Sequence, residues 1–159
     1  MAQVTANDIV FDLGSGDGKI VIAAARKFGA RATGFEFNPD MVKLSQRNAQ
    51  AAGVADGATF RQADIFQSDI TPATVITMYL LPSLNLKLRP QLLQMRPGTR
   101  IVSHSFDMDE WRPDETSTID GRRPTCGSCP RRSRATGPWR RRAAEAAADM
   151  TSRLTSVFR

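Results

Sequence analysis

The 159-residue chain is poor in the residues that build metal centres and disulfide frameworks, with one histidine, His104, and two cysteines, Cys126 and Cys129. A zinc site takes about four ligands, and one Cys-x-x-Cys pair with a single histidine falls short of that, so no metal is expected. The pair also does not open a helix after a strand, which excludes a thioredoxin-like redox motif. Long apolar runs are missing too. No basic segment leads into an apolar one near the N-terminus, so neither a membrane span nor secretion is signalled, and a cytoplasmic location is expected.

Lysine is absent from residues 120–159, a stretch that carries ten arginines and three acids, whereas residues 1–119 hold 12 Lys+Arg against 13 Asp+Glu. The formal net charge of +6 therefore comes entirely from the C-terminal stretch. Such a charge ordinarily points to nucleic acid. Here Arg140-Arg141-Arg142 has no interleaved aromatic platform on which bases would stack, and nucleic acid is not expected as a partner. The 41% of hydrophobic residues suffices for the core of one domain.

What the chain does have is concentrated in Ile9-Val10-Phe11-Asp12-Leu13-Gly14-Ser15-Gly16-Asp17-Gly18-Lys19-Ile20-Val21-Ile22. A short apolar strand runs into a turn with glycine at every second position and then into an amphipathic helix. Glycines so placed let the backbone approach a ligand closely, and the helix aims unpaired N–H groups toward it. The spacing G-x-G-x-G, preceded by an acid within the strand, departs from the G-x-G-x-x-G that receives a pyrophosphate. A nucleoside cofactor without phosphates fits better.

Further along, apolar periodicity and breakers predict strands at about 8–13, 31–37, 59–63, 73–79 and 100–105. Helices are expected from Asp17 to Phe28, from Asn38-Pro39-Asp40 to about Ala52, and from Pro82 with Leu84, Leu88, Leu92 and Met95 on one face. Gly29, Gly53 and Pro97-Gly98 end them. This alternation describes an α/β fold with a doubly wound, mostly parallel sheet and right-handed crossovers. Asn85 reads as a solvated helix residue.

With Gly34-Phe35-Glu36-Phe37-Asn38-Pro39, followed by Asn48 and Gly53, and with Gln62-Ala63-Asp64-Ile65-Phe66, the glycine loop makes three motifs in order over roughly residues 8–105. Together they resemble the class I S-adenosylmethionine-dependent methyltransferases, in particular small bacterial methyltransferase-domain proteins and, more distantly, mitochondrial protein-lysine methyltransferases. The resemblance implies S-adenosylmethionine as cofactor. Gly14, Gly16 and Gly18 would line its methionine and ribose portion, and Asp12 would lie near its ammonium or order the loop. Glu36 would accept from the ribose diol. Asp64 would accept the adenine amino group, with Ile65 and Phe66 against the ring. Tyr79, after the fourth strand, is the candidate for handling the methyl acceptor, and His104 is a further proton acceptor or a packed core residue.

The expected activity is methyl transfer to nitrogen, with a protein lysine as the acceptor by distant resemblance. A nicotinamide-dependent oxidoreductase and a non-catalytic S-adenosylmethionine-binding remnant lacking its lid and final strands are the alternatives. The latter arises because residues 120–159 show no strand or helical period beyond a short weak helix at 143–158, and read as a disordered Arg/Pro-rich tail behind a core at 1–119. Back-translated and read one base out of frame, Pro124 to Arg131 permits Asp-Val-Trp-Ile-Val-Pro-Ala, a plausible buried strand. The tail is therefore expected to be a frameshift product. The fifth strand would then expose an unpaired apolar edge, Ile101 to Phe106, through which the chain would self-associate.

Overall fold

The computed structural model describes residues 2–104, 111, 113–116 and 125–128. Its elements are β1 (Ile9–Leu13), α1 (Lys19–Phe28), β2 (Arg31–Glu36), α2 (Pro39–Ala51), β3 (Ala58–Gln62), β4 (Val75–Met78), α3 (Pro82–Leu92), β5 (Arg100–Ser103), β6 (Glu115–Thr116) and β7 (Thr125–Ser128). All lie in one compact unit, Met1–Cys129. The arginine run 140–142, Cys129 and the segment 143–158 fall outside the described residues, and so does the expectation of a disordered tail there.

The seven strands form one sheet in the order β3-β2-β1-β4-β5-β7-β6. The first five pair in parallel. Side chains alternate across a strand, and β1 divides its residues accordingly. Phe11 and Leu13 join Ile76, Met78, Leu88 and Leu92 in one cluster, while Val10 joins Val21, Ala32, Val42 and Val75 in the other. The sheet is thus covered on both sides, which is why β1 and β4 read as nearly continuous apolar runs. Each fully buried Leu, Ile or Met side chain is worth about 1.5–3 kcal/mol relative to exposure.

Helix boundaries follow local chemistry. Asn38 caps α2, its Oδ1 accepting from the Asp40 N–H at 2.9 Å, with Pro39 in the first turn. Gly29 ends α1 at φ 66, where its N–H reaches the Ala25 carbonyl. The sheet's opposite end is laced together by Asp8. Its carboxylate accepts from Thr5, from Thr74 Oγ1 at 2.7 Å and from the Arg100 guanidinium, which also donates to the Ala2 and Gln3 carbonyls. Burial alone would push the Asp8 carboxyl up, but Thr74, Thr5 and Arg100 together hold it below its ordinary value.

The expectation of missing final strands and a bare fifth-strand edge is corrected. β7 pairs antiparallel with β5, Val102 opposite Cys126 and Ser103 opposite Thr125, and β6 pairs antiparallel with β7. Strand pairing needs only backbone N–H and C=O groups, which Thr-Cys-Gly-Ser supplies without an apolar pattern. The edge invoked for self-association is therefore occupied by the chain itself, and the segment 125–128 forms a strand in the frame as translated.

Candidate cofactor site

Winding reverses between the adjacent strands β1 and β4 of the parallel set, and a crevice opens beyond their C-terminal ends. The glycine loop follows β1 and the segment Tyr79-Leu80-Leu81 follows β4. The loop is held by β2: the Gly14 and Ser15 N–H groups donate to the Phe35 carbonyl at 2.9 and 3.0 Å. Glu36, at the end of β2, accepts the Gly16 N–H on Oε2 at 2.9 Å and the Asn38 N–H on Oε1 at 3.0 Å. From α2, Asn48 Nδ2 donates to the Asp17 carbonyl at 2.9 Å. A strand end and a helix thus fix the loop from outside.

The three loop glycines all have positive φ, but they differ in what surrounds them. A Cβ on Gly18 would lie 2.6 Å from Phe60 Cζ and 2.9 Å from Ser45 Cβ, so Gly18 lets α1 sit close to β3 and α2. A Cβ on Gly14 would meet Leu80 Cδ2 at 2.7 Å across the crevice. Around Gly16 the nearest atom is Met41 Cε at 4.0 Å, which leaves open space in front of the backbone. Gly34, unmarked as a site residue in the sequence, makes room for Ser15 Oγ, 2.5 Å from where its Cβ would stand.

A cleft of about 590 Å³ lies against this loop, walled by Gly14, Glu36, Asp64, Ile65, Phe66 and Leu80 among others. Of the residues expected from the sequence, the fold brings Gly14, Glu36, Asp64 and Ile65 together on that wall. Asp12, Gly16, Gly18 and Tyr79 are not part of its described wall. Gly16 is joined to it through Glu36. Asp64 also acts as a local cap: Oδ1 accepts the Phe66 N–H at 2.9 Å and Oδ2 the Gln67 amide at 3.1 Å.

Asp12 is 2% exposed, and its Oδ1 accepts from Thr77 Oγ1 of β4 at 2.6 Å. Burial pushes its carboxyl up to about 7; the Thr77 bond pulls it back, and the Glu36 charge adds to the rise. Thr77 was not foreseen; only the pairing of Asp12 with Thr77 across β1 and β4 reveals it.

Tyr79 stands at the end of β4, 56% exposed, its ring edge-on to that of His104 with centroids 4.6 Å apart. Asn85 is corrected from solvated to fully buried. Its Nδ2 donates to Ser103 Oγ at 3.1 Å, tying α3 to β5 next to the residue that meets Tyr79. Sequence pattern could not signal this, because a single asparagine on a helix has no periodicity of its own.

The cleft fits a nucleoside cofactor. Its volume lies within the range of small-molecule sites. Two carboxylates on the wall can accept from a diol and an amino group, and Ile65, Phe66 and Leu80 offer apolar cover for a flat ring. The same carboxylates disfavour a pyrophosphate, and the Gly16 N–H that would face one is already bonded to Glu36. No group of three or more His, Cys, Asp or Glu able to hold a metal occurs among the described residues. No helix among them is long and apolar enough to cross a membrane.

Comparison with known proteins agrees. The profile of the ANTKMT methyltransferase domain matches residues 12–115. A protein-lysine N-methyltransferase of Saccharolobus islandicus (strain REY15A) is 40% identical over 122 residues, 76% of each chain. An adenine nucleotide translocase lysine N-methyltransferase of Mus musculus is 33% identical over 129 residues, and the match covers 74% of this chain and 56% of that protein. The crystal structure of an RNA methyltransferase from Salinibacter ruber in complex with S-adenosyl-L-homocysteine superposes with a TM-score of 0.81 at 51% identity, covering 86% of this chain and 89% of that one. Neither a nicotinamide oxidoreductase nor a non-catalytic remnant finds support in these matches. With the domain profile matched over residues 12–115 and methyltransferases among its relatives, one of them bound to S-adenosyl-L-homocysteine, the chain belongs to the ANTKMT methyltransferase domain family of class I S-adenosylmethionine-dependent methyltransferases.

Proposed function

We propose that this enzyme methylates a lysine side chain of a protein. The relatives named as lysine N-methyltransferases support that acceptor. The RNA named for the Salinibacter protein is the second reading. The core gives it no support, since residues 1–119 carry 12 Lys+Arg against 13 Asp+Glu, and the arginine excess that could meet a phosphate backbone lies wholly in residues 120–159.

The bond from the Gly16 N–H to Glu36 carries the cofactor assignment. S-adenosylmethionine, when bound, supplies a methyl group on a sulfonium for in-line displacement. In this reading Gly14 and Gly16 present bare backbone to it, Glu36 accepts from the ribose diol and Asp64 from the adenine amino group, with Ile65 against the ring. Asp12, bonded to Thr77, ties β1 to β4 just before the loop, and Gly18 seats the helix behind it. Since displacement needs alignment and exclusion of water more than a side-chain catalyst, this holding accounts for most of what the protein contributes. A lysine attacks only as the free amine. Tyr79 and His104, at the ends of β4 and β5, are assigned to receiving the acceptor and its proton.

The test is methyl transfer from radiolabelled S-adenosylmethionine to a cell lysate, split into protease-treated and ribonuclease-treated portions. Label that survives ribonuclease and is recovered as methyllysine after acid hydrolysis is the expected result. Label lost to ribonuclease would replace this reading with the RNA one.

A further inference from the structure

Lys87 is a cation in the wall of the cofactor cleft that no motif marks. It projects from α3 between Leu84, which also lines the cleft, and Gln91, and spacings of three and four residues put all three on one helix face. Its Nζ lies 4.0 Å from the centroid of the Phe66 ring, above the ring face. One turn later Gln91 Nε2 donates to the Ser68 carbonyl at 3.0 Å. The helix is therefore fastened at two points to the loop that carries Asp64.

We propose that Lys87 is a binding residue for the adenosine half of the cofactor. This rests on the cofactor reading above. An adenine edge presents an amino donor beside ring-nitrogen acceptors, and a carboxylate acceptor with an ammonium donor on one wall is its complement. Asp64 supplies the first and Lys87 the second. Phe66 holds the exposed ammonium at the cleft wall, as a cation over a ring face is held, and the Gln91–Ser68 bond keeps the helix from carrying it away.

The test titrates the full chain by calorimetry with S-adenosylhomocysteine and with 5′-methylthioadenosine, which lacks the amino-acid half. Lys87 is exposed, so Lys87→Met and Lys87→Arg are expected to melt with the wild type. Lys87→Met should weaken both ligands by the same factor, about fivefold. Lys87→Arg, which keeps the charge and the ring contact, should restore most of the affinity. Unchanged affinity in Lys87→Met overturns the inference while leaving the cofactor site intact. A loss confined to S-adenosylhomocysteine also overturns it, because the ammonium would then serve the carboxylate of the amino-acid half. A wild type that binds neither ligand defeats the underlying cofactor reading itself.

Discussion

Replacing Asp12 by asparagine isolates the cost of a buried charge in this fold. The carboxyl is 2% exposed and pushed up from 3.8 to about 7, first by burial and further by Glu36, against the pull of Thr77. Between those two values the folded chain holds a proton that the unfolded chain has released, so stability falls as pH rises through the window and levels off above it. At about 1.4 kcal/mol per pH unit, ionising Asp12 in place costs on the order of 4 kcal/mol, less whatever local relaxation recovers. Asparagine fills the same volume, and its Oδ1 still accepts from Thr77 without carrying charge. Urea unfolding of the two proteins is therefore expected to give similar stabilities near about pH 4 and an Asp12→Asn advantage of about 2–4 kcal/mol near about pH 8. Groups such as Asp8, common to both proteins, cancel in the difference. Curves that stay parallel across the range would mean that the carboxylate ionises without penalty, and the burial argument would be wrong.

Glu36→Ala removes the acceptor of two backbone N–H groups and, on the proposed site, of the ribose; S-adenosylhomocysteine is expected to bind about 1–3 kcal/mol more weakly by calorimetry. Gly18→Ala should cost about 1–3 kcal/mol of stability in a thermal or urea melt, because its Cβ meets Phe60 and Ser45 at a φ of 84. Gly16→Val meets no clash but carries the backbone strain of a β-branched residue at a φ of 52, so it should lose some stability in the same melt and, where still folded, lose the ligand; retained affinity would sink the cradle. Arg100→Met should cost about 1–3 kcal/mol near neutral pH. That difference should fade as acid protonates Asp8, whose carboxyl is held below its ordinary value by Thr74, Thr5 and this guanidinium.

The parallel half of the fold was legible because each of its boundaries has a local chemical cause: Asn38 and Pro39 start α2, Gly29 ends α1, and the strand cores are apolar on both faces. The places of Glu36 and Asp64 at or just past strand ends were legible, and the fold sets both on the cleft wall. Thr77 and Asn85 were not, since what matters about each is a partner 65 and 18 residues away, respectively, that only the sheet brings near. Tyr79 was found at its expected strand end, but its edge-on contact with His104 depends on β4 and β5 being neighbours. β7 was illegible for a different reason. Strand pairing is a backbone property, and Thr125, Cys126, Gly127 and Ser128 offer no apolar alternation for periodicity to detect.

The way β2 grips the glycine loop gives the ligand a role in folding quality. The carbonyl of Phe35 and the carboxylate of Glu36 meet Gly14, Ser15 and Gly16 only when Gly34 lies beside Asp12 in the β1–β2 ladder. A slip of β2 by one residue would send the Glu36 side chain to the opposite face of the sheet and put Phe37 in its place. Such a misregistered chain would keep much of its secondary structure but have no loop to offer the cofactor. Cofactor binding would then draw molecules toward the correct register by mass action, acting as a proofreader for the strand alignment as well as a reagent.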